Sequence, residues 1–277
     1  MSRHLKTTRV IEMAAEILAA HHPQTVRQVF YQLVSRQVIE NTRGAYQSVS
    51  KALVAARRDG AIAWQQIDDR LRKPRRVSMW DGLGDFAATA ANAYRRNTWA
   101  DQPARIEVWL EKDALSGIFQ DLLERYGVTL NVGRGFDGWS SIHAASLRLG
   151  DGDTVCYFGD FDPSGEDMVR SLRERLADLS SRPTLVKSAL LFEDIERYRL
   201  PPDFTKATDT RRSAFVAKWG DVSVELDALP IEVLQARIVT EVEDRMDLAA
   251  LAATRQQEEN DRGLLIQALA RIDGEQS

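Results

Sequence analysis

Between residues 106 and 191, apolar runs of strand length alternate with stretches of helical periodicity. Strands that alternate with helices in this way are typical of βαβ units, in which successive strands lie parallel and helices cover the sheet. We therefore expect a small parallel α/β domain over residues 105–230. Its predicted strands are Ile106–Leu110, 128–132, Thr154–Phe158 and 184–191, and its predicted helices are 115–126, 140–149 and 165–179.

Three short helices are predicted within residues 1–68. The first two are separated at Pro23, because the residue before a proline avoids the helical basin, and Thr25 follows as a favourable N-cap of the second. Gly60 ends the third helix and precedes a short apolar run typical of a strand. Three helices followed by a strand are the outline of a winged helix-turn-helix. The predicted elements are helices at 8–20, 26–34 and 42–58 and a strand at 61–64.

The positive charge of the chain is concentrated in its first part. Residues 1–106 contain 17 Lys and Arg against 9 Asp and Glu, whereas residues 107–277 contain 20 against 32. This asymmetry indicates a basic part that binds a polyanion beside an acidic part with another task. The winged helix-turn-helix outline favours double-stranded DNA as that polyanion. In a winged helix-turn-helix the third helix enters the major groove. The predicted DNA contacts on that helix are Arg43, Gln47, Lys51, Arg57 and Arg58.

A basic linker with one helix near 86–96 is predicted over residues 69–104. Its most basic run can hold DNA phosphates, and the alternative is that the run is simply a solvated linker. The candidate phosphate contacts in this run are Arg72, Lys73, Arg75 and Arg76.

The composition of the chain as a whole excludes several classes of protein. With 277 residues, 44% of them hydrophobic, and a single cysteine, the chain is neither disordered nor stapled by disulfides. No apolar stretch reaches the roughly 18 residues that a membrane-spanning helix needs. We therefore expect a cytoplasmic protein without a membrane partner. Residues 231–277 are predicted to form a C-terminal helical extension, whose polar part from 254 onward is expected to fray.

Three acidic residues follow strands of the predicted sheet. Glu111 comes directly after the first strand, and Asp160 and Asp162 come directly after the third. Because the carboxyl ends of parallel strands meet at one edge of a sheet, these carboxylates are expected to converge there. Such a set suits Mg²⁺, which prefers oxygen ligands. The alternative is that Glu111 and Asp160 merely cap the helices that follow them.

Three segments, at residues 108–114, 133–138 and 159–165, resemble the Toprim domain in the A subunit of topoisomerase VI and the related meiotic double-strand-break protein. In that family an apolar strand ends in Glu-Lys-Asp, a Gly-rich turn follows, and a later strand ends in Asp-x-Asp-Pro-x-Gly. The resemblance implies that Glu111, Asp160 and Asp162 bind Mg²⁺. The Gly-rich turn departs from the family pattern, because Asp137 and Gly138 stand where a proline is usual.

The same family carries its nucleophilic tyrosine on a winged-helix domain, in a run that Arg27-Gln28-Val29-Phe30-Tyr31 resembles. Helix periodicity predicts that Tyr31 lies outside the apolar stripe of its helix and projects out of the core. Arg27, one turn earlier, is placed to favour the phenolate and to neutralise a phosphate. The alternative is a tyrosine that packs against a neighbouring helix without chemistry. A segment at 224–230 weakly resembles a later part of the family, which makes Glu225 a further candidate.

These observations favour a Mg²⁺-dependent enzyme in which Tyr31 attacks a DNA phosphate, with Arg27 and Glu111 assisting and a double-strand break as the product. The resemblance implies a homodimer. The chain has no Gly-rich ATP-binding loop, so a full topoisomerase would need a separate ATPase subunit.

Two alternatives stay open. One is a Toprim-type nuclease that hydrolyses DNA without a covalent intermediate, in a defence or mobile-element role. The other is a non-catalytic winged-helix DNA-binding protein.

Overall fold

A computed structural model describes residues 3–67, 77–133, 138–203, 205 and 209–274. Two sets of predictions lie outside the described residues. One is the basic run with Arg72, Lys73, Arg75 and Arg76, and the other is the middle of the Gly-rich turn, at residues 134–137. Both sets stay predictions.

The described part of the chain contains one four-stranded, entirely parallel sheet with the strand order β2-β1-β3-β4. The central pair is in register over its whole length, from Ile106 opposite Thr154 to Leu110 opposite Phe158. The parallel α/β architecture expected from the sequence is confirmed. The strands are β1 (Ile106–Leu110), β2 (Thr129–Val132), β3 (Thr154–Phe158) and β4 (Thr184–Ala189).

Side chains of a strand point alternately to the two sides of the sheet, and each side packs against an apolar cluster. Leu110 and Phe158 belong to the larger apolar cluster, which includes the helix α5 (Ser116–Leu123). Trp109 and Tyr157 belong to a second cluster on the opposite face. The helices that contribute to this second cluster are α6 (Trp139–Ser146) and α7 (Pro163–Asp178).

Three helices that pack on one another precede the sheet, as predicted. Thr25 caps the second: its side chain accepts from the backbone of Gln28, and the Gln28 side chain accepts in return from the Thr25 backbone. The face of the three helices that meets the rest of the molecule joins the larger apolar cluster. The helices are α1 (Arg3–Ala20), α2 (Val26–Ser35) and α3 (Arg43–Arg58).

The prediction of a strand at 61–64 is wrong. The chain instead forms a 3₁₀-helix at Trp64–Gln66, followed by an isolated parallel bridge between Gln24 and Ile67. Two local contacts favour the turn: the Gln66 side chain accepts from the backbone of Ala63, and the Trp64 ring stacks under Arg57. Within the described residues, this unit has three helices and one bridge but no wing hairpin.

Among the described residues, five further α-helices flank the sheet domain, and the C-terminal one is helical through Gly274, including the polar part from 254 onward. It packs against α4 (Leu83–Ala93), where its polar residues find partners. Arg262 donates to the carbonyls of Ala91 and Tyr94. Among the described residues, no helix is both long and apolar enough to cross a membrane. The five are α4 (Leu83–Ala93), α8 (Phe192–Arg197), α9 (Arg212–Trp219), α10 (Ile231–Glu243) and α11 (Leu248–Gly274).

Candidate active site

The turn after β3 places two aspartates at the carboxyl end of the sheet. It is fixed by a two-way backbone pairing between Phe161 and Val224, with N···O distances of 2.8 and 2.9 Å. Asp162 is the N-cap of α7, where its Oδ1 accepts from the backbone N of Gly165 at 2.6 Å. A Cβ atom on Gly165 would overlap the carbonyl oxygen of Asp160, so the turn admits only glycine at this position. Helix capping was the alternative for Glu111 and Asp160, but the residue that caps α7 is Asp162.

Glu111 lies beside this turn, at the end of β1, and is not a helix cap. Its Oε2 accepts from the backbone N of Asp160 at 3.2 Å and from the Tyr157 hydroxyl at 3.1 Å. Burial raises the pKa of Glu111, and the nearby charges of Asp160 and Asp162 raise it further. The structure thus brings Glu111, Asp160 and Asp162 together at one edge of the sheet.

The three carboxylates are engaged with other partners. Asp160 Oδ1 accepts from the backbone N of Leu226 at 2.7 Å and lies 3.9 Å from the Nζ of Lys112. Burial raises the pKa of Asp160, and Lys112 acts in the opposite direction. Within the described residues, no three or more Asp, Glu, His or Cys side chains are grouped so that they could hold a metal ion. A metal site here would require these side chains to move into a common coordination sphere.

The chemistry of the donors nevertheless fits Mg²⁺. A cleft of about 280 Å³ opens beside the turn, and Ser164, Asn41 and Tyr31 contribute to its wall. Carboxylates that accept one hydrogen bond keep lone pairs for a cation, and Mg²⁺ is bound by oxygen atoms and water. So many acids around one cavity would repel a phosphate unless cations neutralised them. The carboxylates that line the cleft are Asp160, Asp162, Asp203, Asp209 and Glu225.

Tyr31 lines the same cleft, but the prediction that it projects out of the core is wrong. The residue is 8% exposed and belongs to the larger apolar cluster. Its ring lies edge-to-face against Phe30, at 5.2 Å between centroids, and beneath the guanidinium of Arg27. The 3₁₀-helix at Leu226–Ala228 packs against α2. Because this tertiary contact involves a distant part of the chain, the periodicity of α2 alone could not reveal it.

Arg27 lies one turn before Tyr31, as predicted, but two carboxylates hold its guanidinium. It pairs with Glu225, and its Nε is 3.1 Å from Asp227 Oδ2. Burial raises the pKa of the Tyr31 hydroxyl, and Glu225 and Asp227 raise it further, which outweighs the opposite effect of Arg27. In this arrangement the phenolate is disfavoured.

Lys112 and Asp227 belong to the site although sequence reasoning did not select them. The Nζ of Lys112 donates to Glu225 and to Asp227, at 2.8 Å in each case. The signal was present, because Lys112 directly follows Glu111 and Asp227 lies in the 224–230 segment that made Glu225 a candidate.

The candidate DNA contacts on α3 share one surface. Arg43, Gln47, Lys51 and Arg58 are exposed, and the first three are spaced one helical turn apart. Arg57 is half-buried, with its guanidinium 4.9 Å from the centre of the Trp64 ring.

Comparison with known proteins does not assign the chain to a family. No protein-family model matches the chain, and no curated protein matches it either.

Proposed function

We propose that this protein is a Mg²⁺-dependent enzyme that cleaves DNA at the cleft described above. One observation carries the proposal: a tyrosine from the N-terminal helices and two aspartates from the sheet domain line the same cavity. Within this proposal the three helices act as a helix-turn-helix unit, and the sheet domain acts as a Toprim-like domain in a cytoplasmic protein. A second copy of the chain and a separate ATPase subunit, which the family resemblance implies, belong to the same proposal.

Glu111, Asp160 and Asp162 would hold the metal ion. When bound, Mg²⁺ supplies positive charge that stabilises the phosphate in the transition state and the departing sugar oxygen. The acids need such a cation for a second reason, since DNA would otherwise meet a cleft lined by five carboxylates.

The basic N-terminal part supplies the other half of DNA binding. The exposed polar face of α3 contains Arg43, Gln47, Lys51 and Arg58, which are residues that contact phosphates and base edges in a major groove. These side chains keep DNA beside an acidic cleft that would not attract it.

In the tyrosine mechanism, the Tyr31 oxygen attacks the phosphorus of a backbone phosphate. A bond forms between that oxygen and phosphorus, the bond from phosphorus to one sugar oxygen breaks, and the sugar oxygen takes up a proton. The phenol proton must leave, so Arg27 would have to exchange Glu225 and Asp227 for the phosphate and thereby favour the phenolate.

Hydrolysis by water is the second candidate, and a specific observation favours it. Tyr31 is buried, and its hydroxyl pKa is raised by burial and by Glu225 and Asp227, which disfavours nucleophilic attack from the described arrangement. In this mechanism a water molecule attacks the phosphorus and loses a proton, the bond from phosphorus to one sugar oxygen breaks, and that oxygen takes up a proton. Tyr31 then only shapes the cleft.

Plasmid cleavage separates these mechanisms. Supercoiled plasmid is incubated with protein and Mg²⁺, and the products are denatured with and without protease digestion. Loss of cleavage in both Asp160→Ala and Tyr31→Phe, together with protein-linked DNA ends in the wild type, supports the tyrosine mechanism. Loss in Asp160→Ala alone, with free DNA ends, supports hydrolysis.

Two matched variants control for the substitutions themselves. Asp151→Ala removes an exposed acid, and Tyr126→Phe removes a hydroxyl that donates to Glu243; neither residue lines the cleft. Both variants are expected to cleave like the wild type. Salt-sensitive DNA binding without cleavage in any divalent metal would contradict both mechanisms and indicate a non-catalytic DNA-binding protein.

A further inference from the structure

We infer that Asp227 is a positioning residue, which fixes the helix that carries Tyr31 against the acidic edge of the sheet. The inference rests on the proposed function, because it assigns Asp227 a part in aligning that site. Asp227 does not line the cleft, and it would touch neither DNA nor metal.

Two cations from different parts of the fold meet at this carboxylate. Arg27 of α2 approaches Asp227 Oδ2 at 3.1 Å, and Lys112, which follows β1, approaches Asp227 Oδ1 at 2.8 Å. Each oxygen of Asp227 is thus paired with a different unit of the molecule. Glu225 contacts the same two cations from the side of the cleft.

Burial makes Asp227 depend on both cations for charge compensation, and its contact with Arg27 is an ion pair without a hydrogen bond at Oδ2. The Asp227 side chain is 0% exposed, whereas that of Glu225 is 39% exposed. A buried carboxylate depends on its ionic partners, since removing them leaves an uncompensated charge away from water. Asp227 therefore ties Arg27 and Lys112 together more firmly than a surface ion pair would.

Both cations lie next to residues of the proposed reaction. Arg27 is one helical turn from Tyr31, and Lys112 adjoins Glu111 and lies 3.9 Å from Asp160 Oδ1. Fixing the distance between Arg27 and Lys112 thus fixes how far the phenol lies from the carboxylates. In-line attack depends on this distance, because a displacement of about 1 Å can lower a rate about a hundredfold.

The test compares Asp227→Asn with Asp194→Asn. Asp194 is also a buried aspartate outside the cleft, but its ionic partner is Arg237, at 2.6 and 2.7 Å, rather than Arg27 or Lys112. Both substitutions remove a buried charge and keep the size of the side chain. A general loss of packing would therefore affect them alike, whereas a positioning role affects only the first.

The readout that does not depend on cleavage is oxidation of Tyr31 by hydroxyl radicals from water radiolysis, without metal or DNA, because this reaction follows exposure of the ring and does not need the phenolate. Trypsin releases residues 28–36 as a peptide in which Tyr31 is the only tyrosine, so mass spectrometry can quantify its modification. We expect Tyr31 to react several-fold faster in Asp227→Asn than in the wild type, and at the wild-type rate in Asp194→Asn. Protein-linked DNA should fall about a hundredfold in Asp227→Asn, while DNA affinity stays unchanged.

Equal oxidation of Tyr31 and equal DNA cleavage in Asp227→Asn and Asp194→Asn would overturn the inference. If Asp227→Asn does not fold, Lys112→Met takes its place, since it removes the cation that joins Asp227 to the sheet domain. The same increase in Tyr31 oxidation is then expected, and an unchanged rate would overturn the inference. Absence of cleavage in the wild type would contradict the proposed function but leave the oxidation result decisive for the position of α2.

Discussion

At the scale of single residues, Gly165 has no room for a side chain, because it packs against the turn that carries the two aspartates. We expect Gly165→Ala to lower the free energy of unfolding by about 1–3 kcal/mol, as overpacking of a closed site does. The Asp160 carbonyl must move away from the new methyl group, so cleavage should also fall while DNA binding persists. Urea denaturation and plasmid cleavage measure the two effects.

Gly150→Ala is the matched control for this substitution, because a Cβ atom at Gly150 meets nothing within 4 Å. It should retain the stability and activity of the wild type. If Gly165→Ala also behaves like the wild type, the turn is not closed in the way described.

Cys156 gives a second prediction at this scale. The residue is fully buried in β3, and burial, with a contribution from Glu241, raises the pKa of its thiol to about 12. Because the thiolate is the reactive form, a disulfide reagent at pH 8 should label native protein only as fast as it unfolds. Urea-unfolded protein serves as the reference. Complete labelling of native protein within minutes would contradict the described burial.

At the scale of elements, the pairing of α11 with α4 depends on a cluster of charged and polar groups. Asp261 Oδ2 accepts from Arg96 at 2.6 Å and from the Tyr94 hydroxyl at 2.7 Å. These hydrogen bonds lower the pKa of Asp261 to about 2. A carboxyl whose pKa is lowered by folding stabilises the folded state above its unfolded pKa and loses that contribution as the pH falls toward the folded value.

Asp261→Asn should therefore increase amide hydrogen exchange in the C-terminal half of α11 at pH 7. The difference from the wild type should shrink as the pH falls from about 4 toward 2, since the wild-type carboxyl then becomes neutral as well. Glu259→Gln is the control, because Glu259 is 69% exposed and pairs only with Arg262 of its own helix among the ion pairs described. An equal effect of both substitutions would show that the contact with α4 does not protect the helix.

Elements whose stabilising contacts are local could be predicted from the sequence, and those held by distant contacts could not. The strands of the sheet and the capped helix α2 were predicted because apolar periodicity and the Thr25 cap are local signals. The burial of Tyr31 was missed because the segment that covers α2 is distant, as the contact between Arg27 and Glu225, 198 residues apart, illustrates. The contacts of α11 with α4 were not predicted for the same reason, since the two helices are far apart in the sequence. Glu111 and Asp160 were predictable as neighbours because the ends of adjacent parallel strands meet.

At the scale of the whole molecule, a positive N-terminal part faces an acidic cleft across the interface where Arg27 meets Glu225 and Asp227. The cations of this interface neutralise only part of the acidic charge. Five carboxylates line the cleft, and Glu111 lies beside Asp160. Repulsion between these neighbouring carboxylates destabilises the folded state, so a divalent cation that binds there should stabilise it.

We expect Mg²⁺ to raise the midpoint of thermal unfolding. At ten times its dissociation constant, a ligand specific for the folded state stabilises by about 1.4 kcal/mol, which corresponds to about 3–6 °C for a protein of this class. Calorimetry in buffers matched for ionic strength with NaCl separates specific binding from general screening. Asp160→Asn and Asp162→Asn should abolish the Mg²⁺ shift, because each removes a carboxylate of the proposed site, whereas Asp151→Ala should retain it. A shift that persists in both asparagine variants would place the cation elsewhere and would remove the main physical reason for metal-dependent cleavage at this cleft.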